Sequence, residues 1–289
     1  MTVAADSGGV AAKPSTEAGT GSFGSYTGEG SLIRDLGEIA RFTVTSVRRM
    51  PGVRHYGSEV LRQAGIMILS SSGIIWFMMG MLAAEASLEG HYLLSQLGAG
   101  SYTGVFTSTA DYTVAPEMWG WILSAKVACG LVAELGSMRI SEEIDALEVM
   151  GLDPHSYLIS TRLLAVIIIT PFMFMIGTGI MYGVQYVLNV HVFHSVSAGG
   201  YLSVFWAFQT QQDVLLSLAM GAIMGMMIVT VGCYYGYTAS GGPVGVGKNT
   251  AKSMVINLVI VSVVGAVFQQ MFFGSLTRAP IGYLCPASL

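Results

Sequence analysis

Long apolar stretches divide this sequence into segments that are long enough to cross a membrane. Four stretches contain no Asp, Glu, Lys or Arg: residues 63–84, 163–212, 214–247 and 253–277. A helix needs about 20 mostly apolar residues to cross the hydrocarbon core of a bilayer. We predict five spans, at residues 64–84, 118–135, 163–188, 214–237 and 254–273. The second of them is apolar except for Lys126 and Glu134.

The residues within these spans favour helices over strands. The run Val166-Ile167-Ile168-Ile169 lacks the alternation of apolar and polar positions that the strands of a membrane β-barrel show. Inside lipid, the backbone of a helix satisfies its own hydrogen bonds, which an open strand cannot do. The chain is therefore predicted to be an all-α integral membrane protein, with five transmembrane helices in residues 57–275.

The segment before the first span predicts a different kind of helix. Over residues 31–56, Leu32, Leu36 and Ile39 recur at helical spacing, while Arg34 and Arg41 occupy the other face. A basic amphipathic helix beside a span is typical of one that lies in the membrane interface, and packing on a soluble partner is the alternative. Polar residues 1–30 are predicted to be a disordered cytoplasmic tail, and residues 276–289 to be an extracytoplasmic tail.

Composition excludes several classes of protein. Of 289 residues, 53% are hydrophobic and 10% are charged, whereas soluble domains carry about 25% charged residues. The net charge of −4 argues against a nucleic-acid-binding protein, which would need a basic surplus. The three cysteines, Cys129, Cys233 and Cys285, are too few and too scattered for a disulfide framework or a zinc site.

The basic residues predict the orientation of the spans. Lys and Arg occur before the first span, between the second and third, and between the fourth and fifth. The connections at residues 86–117 and 189–213 contain neither, and Arg278 in the tail is the exception. Because basic loops remain in the cytoplasm, the N-terminus is predicted to be cytoplasmic and the C-terminus extracytoplasmic.

A short acidic helix is predicted between the second and third spans, at residues 141–150. Ser141 is a suitable N-cap, Gly151 suits the position after the last turn, and Pro154 prevents continuation. Its acidic residues are Glu142, Glu143, Asp145 and Glu148. Anionic lipid would repel such a helix on the basic side of the membrane. We therefore expect a protein partner, with a solvated loop helix as the alternative.

Polar and small residues within the spans are further candidates. Charged side chains in a span usually face a bundle interior or a water-filled path, so Lys126 and Glu134 are candidates for function, with helix packing as the alternative. Glycines four residues apart allow close helix contacts, within one subunit or at a dimer seam. These glycines are Gly179 and Gly183 in the third span and Gly221 and Gly225 in the fourth.

Two apparent chemical motifs are incomplete. Residues 242–249 nearly match the phosphate-binding pattern GxxxxGK[ST], but Asn249 replaces the magnesium-binding hydroxyl. We expect a tight turn there instead. His191 and His194 lack a third metal ligand nearby. No metal or cofactor is therefore expected on this chain.

Two segments resemble a known family. Residues 132–154 closely resemble the signature of the MlaE/YrbE permeases, and residues 233–247 resemble the B-type YrbE subunits of actinobacterial Mce systems. The resemblance implies a permease subunit of an ABC-type transporter in the plasma membrane, which moves fatty acids, sterols or other lipids, with import as the expected direction. Members of the family often have Arg in the second span where this chain has Lys126, which lacks the two-pronged guanidinium.

The resemblance also implies partners. These are a paralogous A-type YrbE subunit, a cytoplasmic ABC ATPase dimer that holds ATP and magnesium, and a hexamer of MCE-domain proteins. The short helix would be the coupling helix that contacts the ATPase. Its expected contact residues are Arg139, Glu142, Glu143, Asp145, Leu147 and Glu148.

Two alternatives to this reading stay open at the level of sequence. An intramembrane enzyme acting on lipids would use Lys126, Glu134 and the histidines as its reactive groups. A stand-alone secondary carrier would be expected to show inverted repeats and broken helices near the membrane centre.

Overall fold

Helices make up the described part of the chain, which comprises residues 30–49 and 56–272 of a computed structural model. The α-helices are α1 (Gly30–Arg49), α2 (Gly57–Gln96), α3 (Thr103–Leu123), α4 (Cys129–Ile140), α5 (Glu143–Val149), α6 (Thr161–Tyr186), α7 (Ala198–Ala207), α8 (Gln211–Tyr237) and α9 (Gly242–Phe272). Three π-helical segments extend or join them: Ser124–Ala128, His155–Ser160 and Val187–Val192.

Five stretches are long and apolar enough to cross a membrane, which confirms the predicted fold class. They are span 1 (Gly57–Gln96), span 2 (Gly100–Ile140), span 3 (His155–Val192), span 4 (Gln211–Tyr237) and span 5 (Gly242–Phe272). Span 2 consists of α3 and α4 joined through the π-helical turn Ser124–Ala128. All but the fourth extend well beyond their predicted bounds.

The predicted connection at residues 86–117 is wrong. Span 1 continues to Gln96 and span 2 begins at Gly100, so only residues 97–99 separate them. Acidic residues interrupt the apolar pattern here without interrupting the helices. Glu85 and Glu89 are exposed on α2, and Asp111 is buried in α3 with a hydrogen-bond partner.

Two other connections also differ from prediction. The segment at residues 189–213 contains α7, which packs on the start of α3, where the Tyr201 hydroxyl lies 3.0 Å from Thr107 Oγ1. The segment 242–249, predicted as a tight turn, forms the first turns of α9. The turn itself occupies residues 238–241, with Gly241 at φ +82°.

Span 4 is the centre of the bundle. The helix α8 packs against α3, α4, α6 and α9. Half of the residues in its most apolar stretch are buried, compared with 28% in the most apolar stretches of spans 1 and 5. Met224 and Ile228 of α8 join the main core, together with Trp119 of α3 and Phe174 of α6, whose rings meet edge to face at 5.5 Å.

The second half of α1 belongs to the same compact unit as the spans, whereas its first half, residues 30–38, belongs to a separate unit. The Ser160 hydroxyl donates a hydrogen bond to the Ser46 carbonyl at 3.1 Å, and the Phe42 ring lies 4.8 Å from the His155 imidazole. The interfacial placement predicted for this helix stays a prediction. The two predicted tails, apart from Gly30, and residues 50–55 lie outside the described residues.

Candidate functional site

The candidate site begins at the corner between α4 and α5. Ser141 was predicted to cap the start of the short helix, but it ends α4, and its hydroxyl donates to the Ser137 carbonyl at 2.9 Å. The residue that precedes α5 is Glu142, which has a left-handed backbone with φ +61°. This conformation costs a residue with a side chain about 1–2 kcal/mol. The corner is therefore sharper, and α5 shorter, than the sequence predicted.

Buried apolar contacts attach α5 to the spans. Ile144 is fully buried in the main core, and the half-buried Leu147 packs against that core. The helix ends as predicted at Gly151, which has φ +79°. The amides of Gly151 and Leu152 donate to the carbonyls of Glu148 and Leu147 at 2.9 and 3.1 Å, a Schellman motif. The short helix is therefore held as a rigid part of the bundle.

The outer face of α5 combines carboxylates with two apolar side chains. Glu142, Glu143, Asp145 and Glu148 are all exposed. Val149 and Met150 follow directly and are 90% and 67% exposed. We call these six residues the α5 surface. The sequence pattern had not singled out Val149 and Met150, although two apolar residues after an acidic run were a visible signal.

Arg139 and Asp145 form an ion pair on the exposed surface. The Arg139 Nη1 and Asp145 Oδ1 atoms are 2.6 Å apart. The Arg139 guanidinium also lies 5.8 Å from the centroid of the Tyr237 ring at the end of α8. Two of the predicted contact residues therefore link α4, α5 and α8, and Asp145 has a basic partner within the chain. Glu142, Glu143 and Glu148 carry the acidic character of the surface.

A second ion pair joins α4 to α6. Glu134 Oε1 accepts a hydrogen bond of 2.6 Å from Arg162 Nη2. Arg162 has a side chain only 1% exposed, whereas that of Glu134 is 49% exposed. The Nε and Nη1 atoms of Arg162 have no hydrogen-bond partner within the described residues. Sequence reasoning missed this role of Arg162, although its place at the edge of a long charge-free stretch was a signal.

Lys126 lies in the π-helical turn of span 2, a type of irregularity that is frequent at functional sites. Its side chain is exposed, on a face that also exposes Gly130, Ala133 and Ser137. Elsewhere the exposed faces of the spans carry large apolar residues, such as Leu69 on α2. The face around Lys126 is therefore small and polar where a lipid-facing surface would be bulky and apolar.

The two predicted glycine pairs have different surroundings. A Cβ atom on Gly221 or Gly225 of α8 would lie 3.3 Å from Phe174 or 3.0 Å from Thr170, so this pair packs against α6 within the chain. A Cβ on Gly179 or Gly183 of α6 would meet nothing within 4 Å. Gly179 and Gly183 are exposed on the subunit surface.

Close glycine contacts also occur at positions that the sequence pattern did not single out. A Cβ on Gly236 of α8 would lie 2.7 Å from Leu135 Cβ, and one on Gly232 would lie 3.2 Å from the Ala128 backbone. These two glycines let α8 approach span 2 closely.

The groups that an intramembrane enzyme would need are not brought together. Glu134 is paired with Arg162, and His191 and His194 follow α6 at the opposite end of the spans from α5. No group of three or more His, Cys, Asp or Glu that could hold a metal occurs in residues 30–49 or 56–272. The exposed α5 end can dock a partner and transmit its movement.

Comparison with known proteins identifies the chain's relatives. Residues 60–271 match the family described as Permease MlaE. A probable ABC transporter permease protein of Rickettsia conorii is 26% identical over 245 residues, which cover 84% of this chain and 93% of that protein. A second one, of Rickettsia prowazekii, is 28% identical over 247 residues with the same coverage.

A more distant match comes from a plant. The chloroplastic protein TRIGALACTOSYLDIACYLGLYCEROL 1 of Arabidopsis thaliana is 26% identical over 173 residues, which cover 60% of this chain and 49% of that protein.

Proposed function

Because the chain belongs to the MlaE permease family, we propose that it forms one half of the membrane pathway of an ATP-driven lipid transporter and docks its ATPase through the α5 surface. As an ABC transporter permease, the chain catalyses no reaction itself and works with a separate ATPase subunit. Membership in this family argues against both the intramembrane enzyme and the stand-alone carrier.

The single observation that carries the docking proposal is the composition of the α5 surface. Val149 and Met150 are 90% and 67% exposed at the end of a helix whose other large apolar residues, Ile144 and Leu147, pack in or against the core. Burying a Val or Met side chain contributes about 1.5–3 kcal/mol. The flanking carboxylates of Glu142, Glu143 and Glu148 would orient the encounter with a basic groove on the ATPase.

A continuous series of contacts connects this surface to the spans. The Arg139–Asp145 pair holds α5 to α4, the Glu134–Arg162 pair holds α4 to α6, and Ile144 anchors α5 in the core. Because buried and paired groups resist separate movement, a displacement of α5 by the ATPase would move spans 2 and 3 together. We propose that this movement changes the membrane side to which the lipid pathway opens.

The face around Lys126 supports a second permease subunit. A lysine at the bilayer centre costs about 2.5–3.5 kcal/mol when it faces hydrocarbon. Its small neighbours Gly130, Ala133 and Ser137 would allow another helix to approach closely. We propose that this face lines the pathway between two subunits, the partner being a paralogous A-type YrbE chain.

The finer assignment rests on the resemblance of residues 233–247 to B-type YrbE subunits. On this basis we propose that the chain belongs to a plasma-membrane Mce system that includes a hexamer of MCE-domain proteins. The system would import fatty acids or sterols, and its ATPase would bind ATP and magnesium. The distribution of Lys and Arg supports a cytoplasmic α5 end. The Arabidopsis relative bears the name of a glycolipid, which supports lipid as the cargo.

Purification of the native complex in mild detergent tests the docking proposal. We expect an ABC ATPase to copurify with the wild-type chain and to be lost from the Glu142→Lys/Glu148→Lys variant, because four units of charge change on the α5 surface. The Glu85→Lys/Glu89→Lys variant is the matched control, with the same charge change on exposed positions of α2.

Two results would contradict the proposal. Absence of any ATPase from a wild-type preparation that retains its other membrane partners would argue against an ATP-driven complex. Equal loss of the ATPase from both charge-reversal variants would show that overall charge, rather than the α5 surface, controls the association.

A further inference from the structure

A largely apolar cavity with a few polar lining residues lies at the opposite end of the spans from α5. It has a volume of about 130 Å³ and is enclosed by α3, α6 and the start of α8. Its polar lining residues include Asp111, Tyr182 and Gln209, and its walls include Phe174 and Leu218. None of these residues belongs to the α5 surface or to the face around Lys126.

The carboxyl group of Asp111 is only partly satisfied inside the protein. Asp111 is 2% exposed. Its Oδ1 atom accepts a hydrogen bond of 2.7 Å from Gln185 Nε2, while its Oδ2 atom has no partner among the described residues. A buried acceptor without a donor is costly, and such atoms in native proteins require an explanation. Asp111 is one of the residues that line the cavity.

A second acceptor lines the same cavity. Gln209 is 7% exposed, and its Oε1 atom also lacks a partner within residues 30–49 and 56–272. Its Nε2 group donates to the Tyr182 hydroxyl oxygen. Because that oxygen accepts, the Tyr182 proton is left to donate. The residues that line the cavity therefore carry two unpaired acceptors, Asp111 Oδ2 and Gln209 Oε1, and one donor, the Tyr182 hydroxyl.

An uncharged hydroxyl matches this set of groups. A hydroxyl both donates and accepts, so it can donate to Asp111 or Gln209 and accept from Tyr182. An ammonium group has no acceptor for the Tyr182 proton. A carboxylate has no proton to donate to the two acceptors and would lie beside the Asp111 carboxyl group.

The size and opening of the cavity suit a head group rather than a whole lipid. An apolar cavity of about 150 Å³ holds one benzene molecule, so this one accommodates a hydroxyl and a few carbon atoms. Met175 and Gly179 line it and are exposed on the outer face of α6. A Cβ on Gly179 would meet nothing within 4 Å. An alkyl chain can leave the cavity over this gap.

We propose that this cavity binds the hydroxyl head group of a neutral lipid, such as a long-chain alcohol, a sterol or a monoacylglycerol. Its role in transport rests on the proposed function, because it would then select cargo at the membrane face opposite the ATPase. The binding itself depends only on this chain.

Photolabelling of the purified full-length chain tests the proposal. The probes are hexadecanol, hexadecanoic acid and hexadecylamine, each with a diazirine in the alkyl chain. We expect hexadecanol to label α6 or α8 next to the cavity at least fivefold more than the acid or the amine. Asp111→Asn replaces one acceptor with a donor and should reduce the hexadecanol labelling at least fivefold.

A steric variant tests the site without changing its buried polar groups. Gly179→Phe fills the opening and should also reduce labelling at least fivefold. Gly183→Phe is the matched control, since Gly183 is exposed and open on the same helix but does not line the cavity. It should label like the wild type.

Several other outcomes would overturn the assignment. Equal labelling by all three probes, or labelling that Gly179→Phe leaves unchanged, would show that the cavity holds no head group. Preferential labelling by the amine would identify a cationic ligand instead. If hexadecanol labelling fails while an ATPase still copurifies, only the head-group assignment is wrong. If labelling persists without any ATPase, the transporter proposal fails and the binding site stands.

Discussion

Neutralising Glu134 should destabilise the protein more than removing Arg162, although Arg162 is the more deeply buried residue. The two substitutions are Glu134→Gln, which keeps the shape and one acceptor oxygen, and Arg162→Met, which keeps an unbranched apolar side chain. Each breaks the 2.6 Å ion pair between α4 and α6. They differ in the charge that is left behind.

The difference follows from the exposure of the two side chains. Glu134→Gln leaves the Arg162 guanidinium, 1% exposed, without a counter-charge. Breaking a buried pair in this way costs about 3–5 kcal/mol, and we expect about 2 kcal/mol because Glu134 is half exposed and partly screened. Arg162→Met leaves a carboxylate that is 49% exposed and can be solvated. It also removes two N–H groups without partners, so its cost should stay below about 1 kcal/mol.

Reactivity of a buried thiol on heating measures this difference. Cys233 in α8 is fully buried, so in a Cys129→Ser/Cys285→Ser background a thiol-reactive dye reports its exposure. For a domain of this size we expect Glu134→Gln to lower the midpoint by about 4–8 °C and Arg162→Met by less than about 4 °C. The double variant should resemble Arg162→Met. If Arg162→Met lowers the midpoint as much as Glu134→Gln, the argument from the buried charge is wrong.

Three further substitutions probe the corner, the exposed lysine and the close helix contact. Glu142→Gly should raise the thermal midpoint by about 2–3 °C, because glycine adopts the left-handed backbone without the strain of about 1 kcal/mol; a lower midpoint would contradict this. Lys126→Met should reduce lipid uptake by cells at least tenfold at unchanged abundance, while Lys126→Arg retains uptake. Uptake by the Met variant equal to wild type would place Lys126 outside the pathway. Gly236→Ala should cost about 1–3 kcal/mol in thermal unfolding because its Cβ would lie 2.7 Å from Leu135 Cβ. Gly183→Ala, where space is open, should cost nothing, and equal effects would refute the packing argument.

The α5 surface shows how far sequence reasoning reaches. Capping and helix-ending preferences located a short acidic helix and its end at Gly151, because these preferences depend on neighbouring residues only. The same reasoning placed its start at Ser141, whereas the structure uses a left-handed Glu142. Local preferences are comparable in size to the energy of one tertiary contact, so the burial of Ile144 can decide where the corner forms.

Helix faces were harder to predict than helices. The spacing of glycines at i and i+4 selected two pairs, Gly179 with Gly183 and Gly221 with Gly225. Only Gly221 and Gly225 pack against another helix of the chain. Spacing shows that two residues share a face. It does not show which face meets a neighbouring helix, because the rotation of each helix is set by all of its contacts.

The number of spans, their helical structure and the acidic helix between spans 2 and 3 were determined by the sequence itself. They follow from averages over about 20 neighbouring residues and from the requirement that backbone groups be hydrogen-bonded inside lipid. Only the tertiary structure decided the pairing of Glu134 with Arg162 and of Asp111 with Gln185, which are 28 and 74 positions apart. Such pairs depend on which helices are neighbours and on how each is rotated. Hydropathy averaged along the chain does not contain helix neighbours or helix rotation. The carboxyl groups of Glu134 and Asp111 interrupt the apolar pattern in the sequence, yet both are parts of the packed bundle.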